Sequence, residues 1–337
     1  MGLLTRLRFL LRRVQVSDYS KFSIGVHSGV GSYSRILFSS YYHPAENQSI
    51  SIGNHAGVGM NCELHVWNNN HIEIKDHATL NDGCKLLGDV TIEKYCLLSA
   101  NIFASSGNHY AFEHPGWLIK DQDKKILSTE EGKKAHSQPI HIEEDCWIGY
   151  GVFIKRGIYI GRGAVIGANS VVLANVAPYS VQGGIPCKEI RKRFVFEPPI
   201  QLMAGKDEHL PYFYRGFEHK REMLESSGKQ HHIQMGSAAI AVLQSVNGAK
   251  GIRIRGKRAG SSETELHISL QDAWQWNVAI STEEFEIHLA VQNASRPVQM
   301  NKALFEGLPK ELRQYSIVCF ATERTGSLAI SQIQLSY

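Results

Sequence analysis

His109 and His114 stand five residues apart in a stretch that also holds Asn108 and Glu113. An imidazole titrates near neutrality, so a histidine can take a proton from a hydroxyl and return it within one turnover. The same pair can instead belong to a metal site, given a third imidazole from His71 or His77. Farther along, Lys188, Arg191 and Arg193 form a cationic group suited to phosphate esters. Between these lie Trp117 and Lys120, Lys124, Lys125, Lys133 and Lys134. They form either a solvated loop with one anchoring aromatic or a surface that stacks on a sugar face and attracts an anionic glycan. With 16 histidines in the chain, His109 is singled out by its place in a repeat rather than by its type.

That repeat has a period of six. Residues 142–177 divide into IEEDCW, IGYGVF, IKRGIY, IGRGAV, IGANSV and VLANVA. The first place holds Ile142, Ile148, Ile154, Ile160, Ile166 and Val172, and the fifth holds Cys146, Val152, Ile158, Ala164, Ser170 and Val176. A period of six fits neither an amphipathic helix nor strict alternation, so it marks a repeat architecture. Three hexads make one coil of a parallel β-helix, with the first residue inside, the fifth near a corner and glycine easing the turn. Upstream, the first places fall at 24, 30, 36, 52, 58 and 64, then from 74 to 104 in steps of six. Of all 18 first places, 17 are Ile, Leu or Val, in a chain only 43% hydrophobic, which excludes chance. Inserts at 42–51, 70–73 and 110–141 leave this phase intact, as loops leaving a solenoid corner should. His109 closes the last hexad, ASSGNH, where the chain departs on its longest excursion.

These residues resemble the hexapeptide-repeat acyltransferases, whose hexads coil into a left-handed parallel β-helix. The likeness covers roughly residues 20–195 and is closest over 139–194, which looks like the acetyl-CoA-dependent saccharide and xenobiotic acetyltransferase branch. A WIGxG segment (147–151), a PPYS-like turn (177–180) and a GxPAK-like ending (184–188) follow in that order. The resemblance implies that the excursion builds the acceptor pocket. It also implies that His109 is the general base, in an S-x-x-H context formed by Ser105 or Ser106 with Asn108, and that His114 stands in reserve. Relatives carry an Asp-Ser-His-like sequence where Gly107, Asn108 and His109 stand, so the resemblance names no group that orients the imidazole.

Acetyl-CoA is the implied cosubstrate, lying between two β-helices of a homotrimer at Trp147, Tyr150, Ala168, Lys188 and Arg191. Leu173, Ala174 and Asn175 replace the family's Thr-Lys-Asp, so one basic contact is missing. The implied reaction is O-acetylation of a saccharide hydroxyl by direct attack, with no acyl-enzyme, on a bacterial capsule or other surface polysaccharide. A small sugar, an antibiotic or an amine is also compatible. Two alternatives stand beside it: a noncatalytic glycan-binding or scaffold protein, and a metal-dependent enzyme of the same β-helix fold. The metal pair of such enzymes lies inside a continuous coil and His114 does not, so no metal ligand is assigned.

The chain has 337 residues, with 36 basic against 32 acidic, and the basic residues are dispersed, so nucleic acid is not the expected partner. Cys62, Cys84, Cys96 and Cys146 all take the fifth place and read as small core residues, while Cys187 and Cys319 have no partner spacing. With no apolar run long enough for a signal peptide or a membrane span, this points to the cytoplasm. Residues 1–22 form an amphipathic helix that either caps the open end of the β-helix or rests on an anionic membrane surface. Residues 23–195 are the β-helix domain, 196–232 a linker with a helix around Phe213 to Leu224, and 233–337 an antiparallel β-sandwich. Trp274, Trp276 and Phe285 in the last part either pack inside it or form a glycan platform. The fold class is therefore mainly β: a left-handed parallel β-helix with an appended C-terminal sandwich.

Overall fold

The computed structural model describes residues 2–40, 47–217, 232–245, 249–259, 263–270, 274–291, 308, 312, 314–322 and 328–336. The chain divides into two compact units, Met1–Val195 and Phe196–Tyr337.

The hexads build the first unit. Each contributes a short strand in which the first-place residue points inward and the residue before it points outward. Strands one coil apart pair in parallel, as Leu98 with Ile148 and Ile148 with Ile166. Three stacked parallel sheets result. One runs from Gln15–Val16 through Glu63–Trp67 and Phe103–Ser105 to Val171–Val172, the second from Phe22–Ile24 to Tyr159–Ile160. The third runs from Gly29–Val30 to Ser180–Gly183 and closes with the antiparallel strand Lys188–Lys192. Every first-place residue except Ile24 is buried. Burying one such aliphatic side chain stabilises the coil by about 1.5–3 kcal/mol.

The fourth place turns the corner. His55, Asn61, Tyr95, Asn101, Asp145, Gly151 and Gly163 all have φ between 53° and 67°. That left-handed conformation costs a side-chain-bearing residue energy, which glycine and asparagine avoid. At one corner, ring stacking offsets the cost: His27, His55, His77 and Tyr95 pile up at centroid spacings of 4.9, 5.0 and 4.9 Å. The four fifth-place cysteines are buried and free. Their thiols approach carbonyl oxygens of the following coil, Cys96 that of Glu143 at 2.9 Å and Cys146 that of Gly161 at 3.2 Å. The inserts read at 42–51 and 70–73 are shorter than expected, because strands Ser49–Ile52 and His71–Ile74 reach back into them.

The first helix, α1 (Leu3–Leu11), sets Phe9 into the β-helix core, 6.0 Å from the Phe22 ring. Arg12 Nη1 donates to the Val30 carbonyl at 3.1 Å and Arg13 lies over the Tyr33 ring, tying the helix to the end coil.

Among the described residues, the second unit pairs its strands antiparallel. Its strands join into one nine-stranded sheet, ordered Trp274–Ile280, Thr264–Leu270, Ser316–Thr322, Ile233–Leu243, Leu328–Ser336, Gly251–Arg258 and Glu284–Ala290. Gln201–Met203 pairs with Leu328–Ser336, and Arg215–Phe217 with Ile233–Leu243. The helix expected around Phe213 to Leu224 is therefore corrected for 213–217. There Gly216 takes φ 74° and the aromatics Phe213, Tyr214 and Phe217 are buried, so sheet pairing overrides the helical periodicity. The rest of that helix lies outside the described residues. Trp276 and Phe285 are buried, whereas Trp274 is exposed.

Candidate active site

The exit of the coil at Phe103–Ser105 is held from below. Ser106 is fully buried; its Oγ accepts from the Asp89 amide at 2.8 Å and meets Ser137 Oγ at 2.6 Å. The Ser106 carbonyl accepts from the Gln138 amide at 2.9 Å. Gly107 follows because Trp67 lies there: a Cβ would sit 2.8 Å from Trp67 Cζ2, and the same indole edge is 2.9 Å from a Cβ at Gly88. An indole packed against two backbone turns cannot yield. Gly107→Val is therefore expected to cost about 1–3 kcal/mol by overpacking and to displace Asn108 and His109. A guanidinium titration together with turnover would show both losses.

His109 emerges into solvent, its side chain 81% exposed. Its Nδ1 meets Asp123 Oδ2 at 2.6 Å, while Asp123 Oδ1 accepts from the Tyr110 amide at 2.7 Å. Asp123 is supplied by α2 (Ile119–Ile126), the first of two short helices that occupy the excursion; α3 (Glu130–His136) is the second. Thr129 caps α3, accepting from the Gly132 amide at 3.0 Å. Tyr110, buried, donates to the Gly132 carbonyl at 2.6 Å. The excursion is thus folded rather than a solvated loop, and its anchoring aromatic is Tyr110. Trp117 is 49% exposed and stacks on His114 at 4.6 Å.

A carboxylate at Nδ1 has a chemical consequence. A carboxylate only accepts, so it takes the hydrogen bond from Nδ1–H, favours that imidazole tautomer and leaves a lone pair on Nε2, the arrangement a base requires. Beside it opens a cleft of about 770 Å³. Trp67, Phe103, Phe153 and Leu127 contribute to its apolar wall, Asn108, His109 and Asp123 to one rim, and His65, His136, Lys155 and Arg156 add further polar lining. Phe103 and Phe153 stack one coil apart at 5.6 Å and 7°.

His136 lies 6.3 Å from the Trp67 ring. Burial holds its imidazole below the ordinary value, opposed by Asp123 and assisted by His109 and Arg156. His65 is lowered too, mainly by burial, with Glu63 opposing. Both protonate less readily folded than unfolded. Their contribution to stability is therefore complete above the unfolded pKa near 6.5 and is lost as pH falls below it. The thermal midpoint is expected to drop as pH falls below the unfolded value of about 6.5, and His136→Gln to flatten that slope; differential scanning calorimetry reads both.

The other candidates fall in different places. His114 does not line the cleft; its amide donates to Gln122 Oε1 at 3.0 Å. His71 Nδ1 meets Ser49 Oγ at 2.9 Å and His77 belongs to the stacked corner, so neither joins His109. Among the described residues no group of three or more His, Cys, Asp or Glu side chains could hold a metal ion. Tyr150 and Ala168 occupy one corner a coil apart, with the Asn169 amide donating to the Tyr150 carbonyl at 2.7 Å. Trp147 stands on the neighbouring outer face, 54% exposed, between Leu97 and Val165. Lys188 and Arg191 are exposed on the closing strand, whereas Arg193 is engaged by Asp145 Oδ2 at 2.8 Å.

Sequence reasoning missed Asp123, His136, His65, Trp67, Lys155 and Arg156. It also missed Phe103 and Phe153, although a signal was present: each immediately precedes an inward first place and so must face out.

Residues 139–174 match the family model described as bacterial transferase hexapeptide (six repeats). No curated protein matches the chain. Among solved structures, the chain is similar to a point mutant of an N-acyltransferase from Bacillus cereus in complex with dTDP-4-amino-4,6-dideoxyglucose and coenzyme A. Identity is 15% over 52% of this chain and 87% of that one, with a TM-score of 0.40. A hexapeptide-repeat acetyltransferase from Vibrio cholerae, complexed with acetyl-CoA, is 24% identical over 58% of this chain and 81% of its own, with a TM-score of 0.30. A galactoside acetyltransferase in complex with coenzyme A is 22% identical over 58% and 74%, also with a TM-score of 0.30.

Proposed function

We propose that the β-helix unit is an O-acetyltransferase that moves acetyl from acetyl-CoA to a saccharide hydroxyl, on a bacterial capsule, another surface polysaccharide or its precursor. The observation that carries this reading is the Asp123–His109 pair at the mouth of a cleft, with Nε2 left open as a base. Stacked Phe103 and Phe153 offer apolar faces to a sugar ring. Lys155 and Arg156 give the same cleft a cationic rim that suits an acidic glycan.

Trp147, Tyr150, Ala168, Lys188 and Arg191 would hold the coenzyme. The two cations suit its phosphates, and the exposed rings of Trp147 and Tyr150 suit its apolar arm. When bound it supplies the acyl group as an activated thioester. His109 Nε2 takes the proton from the acceptor hydroxyl as that oxygen attacks, and returns it to the departing thiol. Asp123 holds the imidazole in the required tautomer throughout.

A homotrimer belongs to the same reading: Leu97 and Trp147, 56% and 54% exposed on adjacent strands, are apolar surface that a second copy would cover. So does a cytoplasmic location, where acetyl-CoA is made. Thiol release from acetyl-CoA is the direct test, with purified protein offered de-acetylated capsules, oligosaccharides, amino sugars and chloramphenicol. Release with a glycan alone supports the proposal. Release only with an amine or an antibiotic changes the acceptor class, and no release with any of them favours a glycan-binding module.

A further inference from the structure

Helix α1 presents an unusual outer surface. Leu4, Leu7, Leu10 and Leu11 are 79%, 51%, 73% and 77% exposed. On an α-helix, at 100° per residue, these four fall within an arc of about 120°, and Phe9, which enters the β-helix core, points the other way. The leucines therefore face away from the protein. Arg6 borders the apolar arc on one side and Arg8 on the other; Arg12 and Arg13 follow at the C-terminal end, and all four are exposed. Residues 2–17 contain no Asp or Glu.

Four exposed leucines on nine helical residues are a large unpartnered apolar surface for a water-soluble face. At 1.5 Å per residue the helix is far too short to cross a bilayer. No helix among the described residues is long and apolar enough to do so. An apolar arc bordered by arginines, on a helix without Asp or Glu, is the arrangement of a helix lying in the plane of a membrane surface: leucines enter the acyl boundary and guanidinium groups meet anionic headgroups.

We propose that α1 docks the protein on an anionic lipid bilayer through Leu4, Leu7, Leu10 and Leu11, with Arg6 and Arg8, which border the leucine arc, against the headgroups. Phe9, the hydrogen bond of Arg12 to the Val30 carbonyl and the Arg13 guanidinium over the Tyr33 ring hold the helix so that its leucine face stays outward before any lipid is met. The docking is independent of the acetyl-transfer reading.

Flotation of the full chain with vesicles tests this. The protein is expected to float with phosphatidylcholine mixed with phosphatidylglycerol at low salt, to stay behind with phosphatidylcholine alone, and to lose binding as salt rises. Leu4→Gln/Leu11→Gln is expected to lower partitioning by about 100-fold, and Arg8→Gln by about fivefold. All three positions are exposed, so circular dichroism should report an unchanged fold. The proposal is overturned if the wild type does not float, if it floats equally with both vesicle types, or if the double variant binds as tightly. It is equally overturned if light scattering shows that the double variant dissociates an assembly while the wild type ignores vesicles, which would make the face a contact between copies.

Discussion

If His109 is the base of the proposed reaction, its replacement by alanine is expected to lower kcat for acetyl transfer by about 10²–10⁴-fold, the usual contribution of a positioned general base, while KM for donor and acceptor changes little. The reasoning is geometric. The side chain stands 81% exposed at the mouth of the cleft, so its removal opens no cavity and disturbs no packing. The loss would fall on the chemical step alone. Steady-state kinetics with the best acceptor read the effect, and melting temperature serves as the control. Unchanged turnover would move the base to His136, which lines the same cleft, rather than to His114, which is turned onto Trp117.

The second large effect belongs to Asp123, and two substitutions there separate its two tasks. In Asp123→Asn the amide oxygen still accepts from the Tyr110 amide, so the excursion keeps its anchor. Opposite His109, however, an NH₂ group now donates to Nδ1 and moves the imidazole proton to Nε2, the atom that must be free. We expect kcat to fall by roughly 10²–10³-fold, a fraction of the general-base contribution, with KM unchanged. In Asp123→Ala the Tyr110 amide also loses its partner, at a cost of about 1–3 kcal/mol for an unsatisfied buried group, and acceptor KM rises as well. Equal kinetics for the two variants would mean that Asp123 only supports the loop. Nitrogen-resolved NMR of His109 would show the tautomer directly.

The β-helix was legible because its signal is redundant: a first-place aliphatic repeats along the chain, and only Ile24 among those positions is less than buried. The place of His109 at the coil exit was legible for the complementary reason, as the residue at which that periodicity stops. Its partner was not. Asp123 lies 14 residues on, on a helix with no repeat around it, and reaches His109 only because the excursion folds back. His136 and Trp67 were hidden in the same way, brought together by the return of the chain rather than by any local spacing. The stretch 213–217 misled because its aromatics satisfy a helical period as readily as a buried strand, and only pairing with Ile233–Leu243 decides between them.

The buried Ser106 has a consequence beyond geometry. Departure and return of the excursion meet at this residue, through Ser137 Oγ and the Gln138 amide, and Arg156 Nη1 donates to the Ala135 carbonyl close by, so the segment is a closed loop pinned to the coils at its two ends. Lengthening such a loop costs little, since closure entropy grows only with the logarithm of its length. Mutation can therefore rewrite the loop without disturbing the coils on either side. Under the proposed function, scaffold and acceptor preference would be separately evolvable, and exchanging residues 107–136 between homologous chains would be a route to new acceptors.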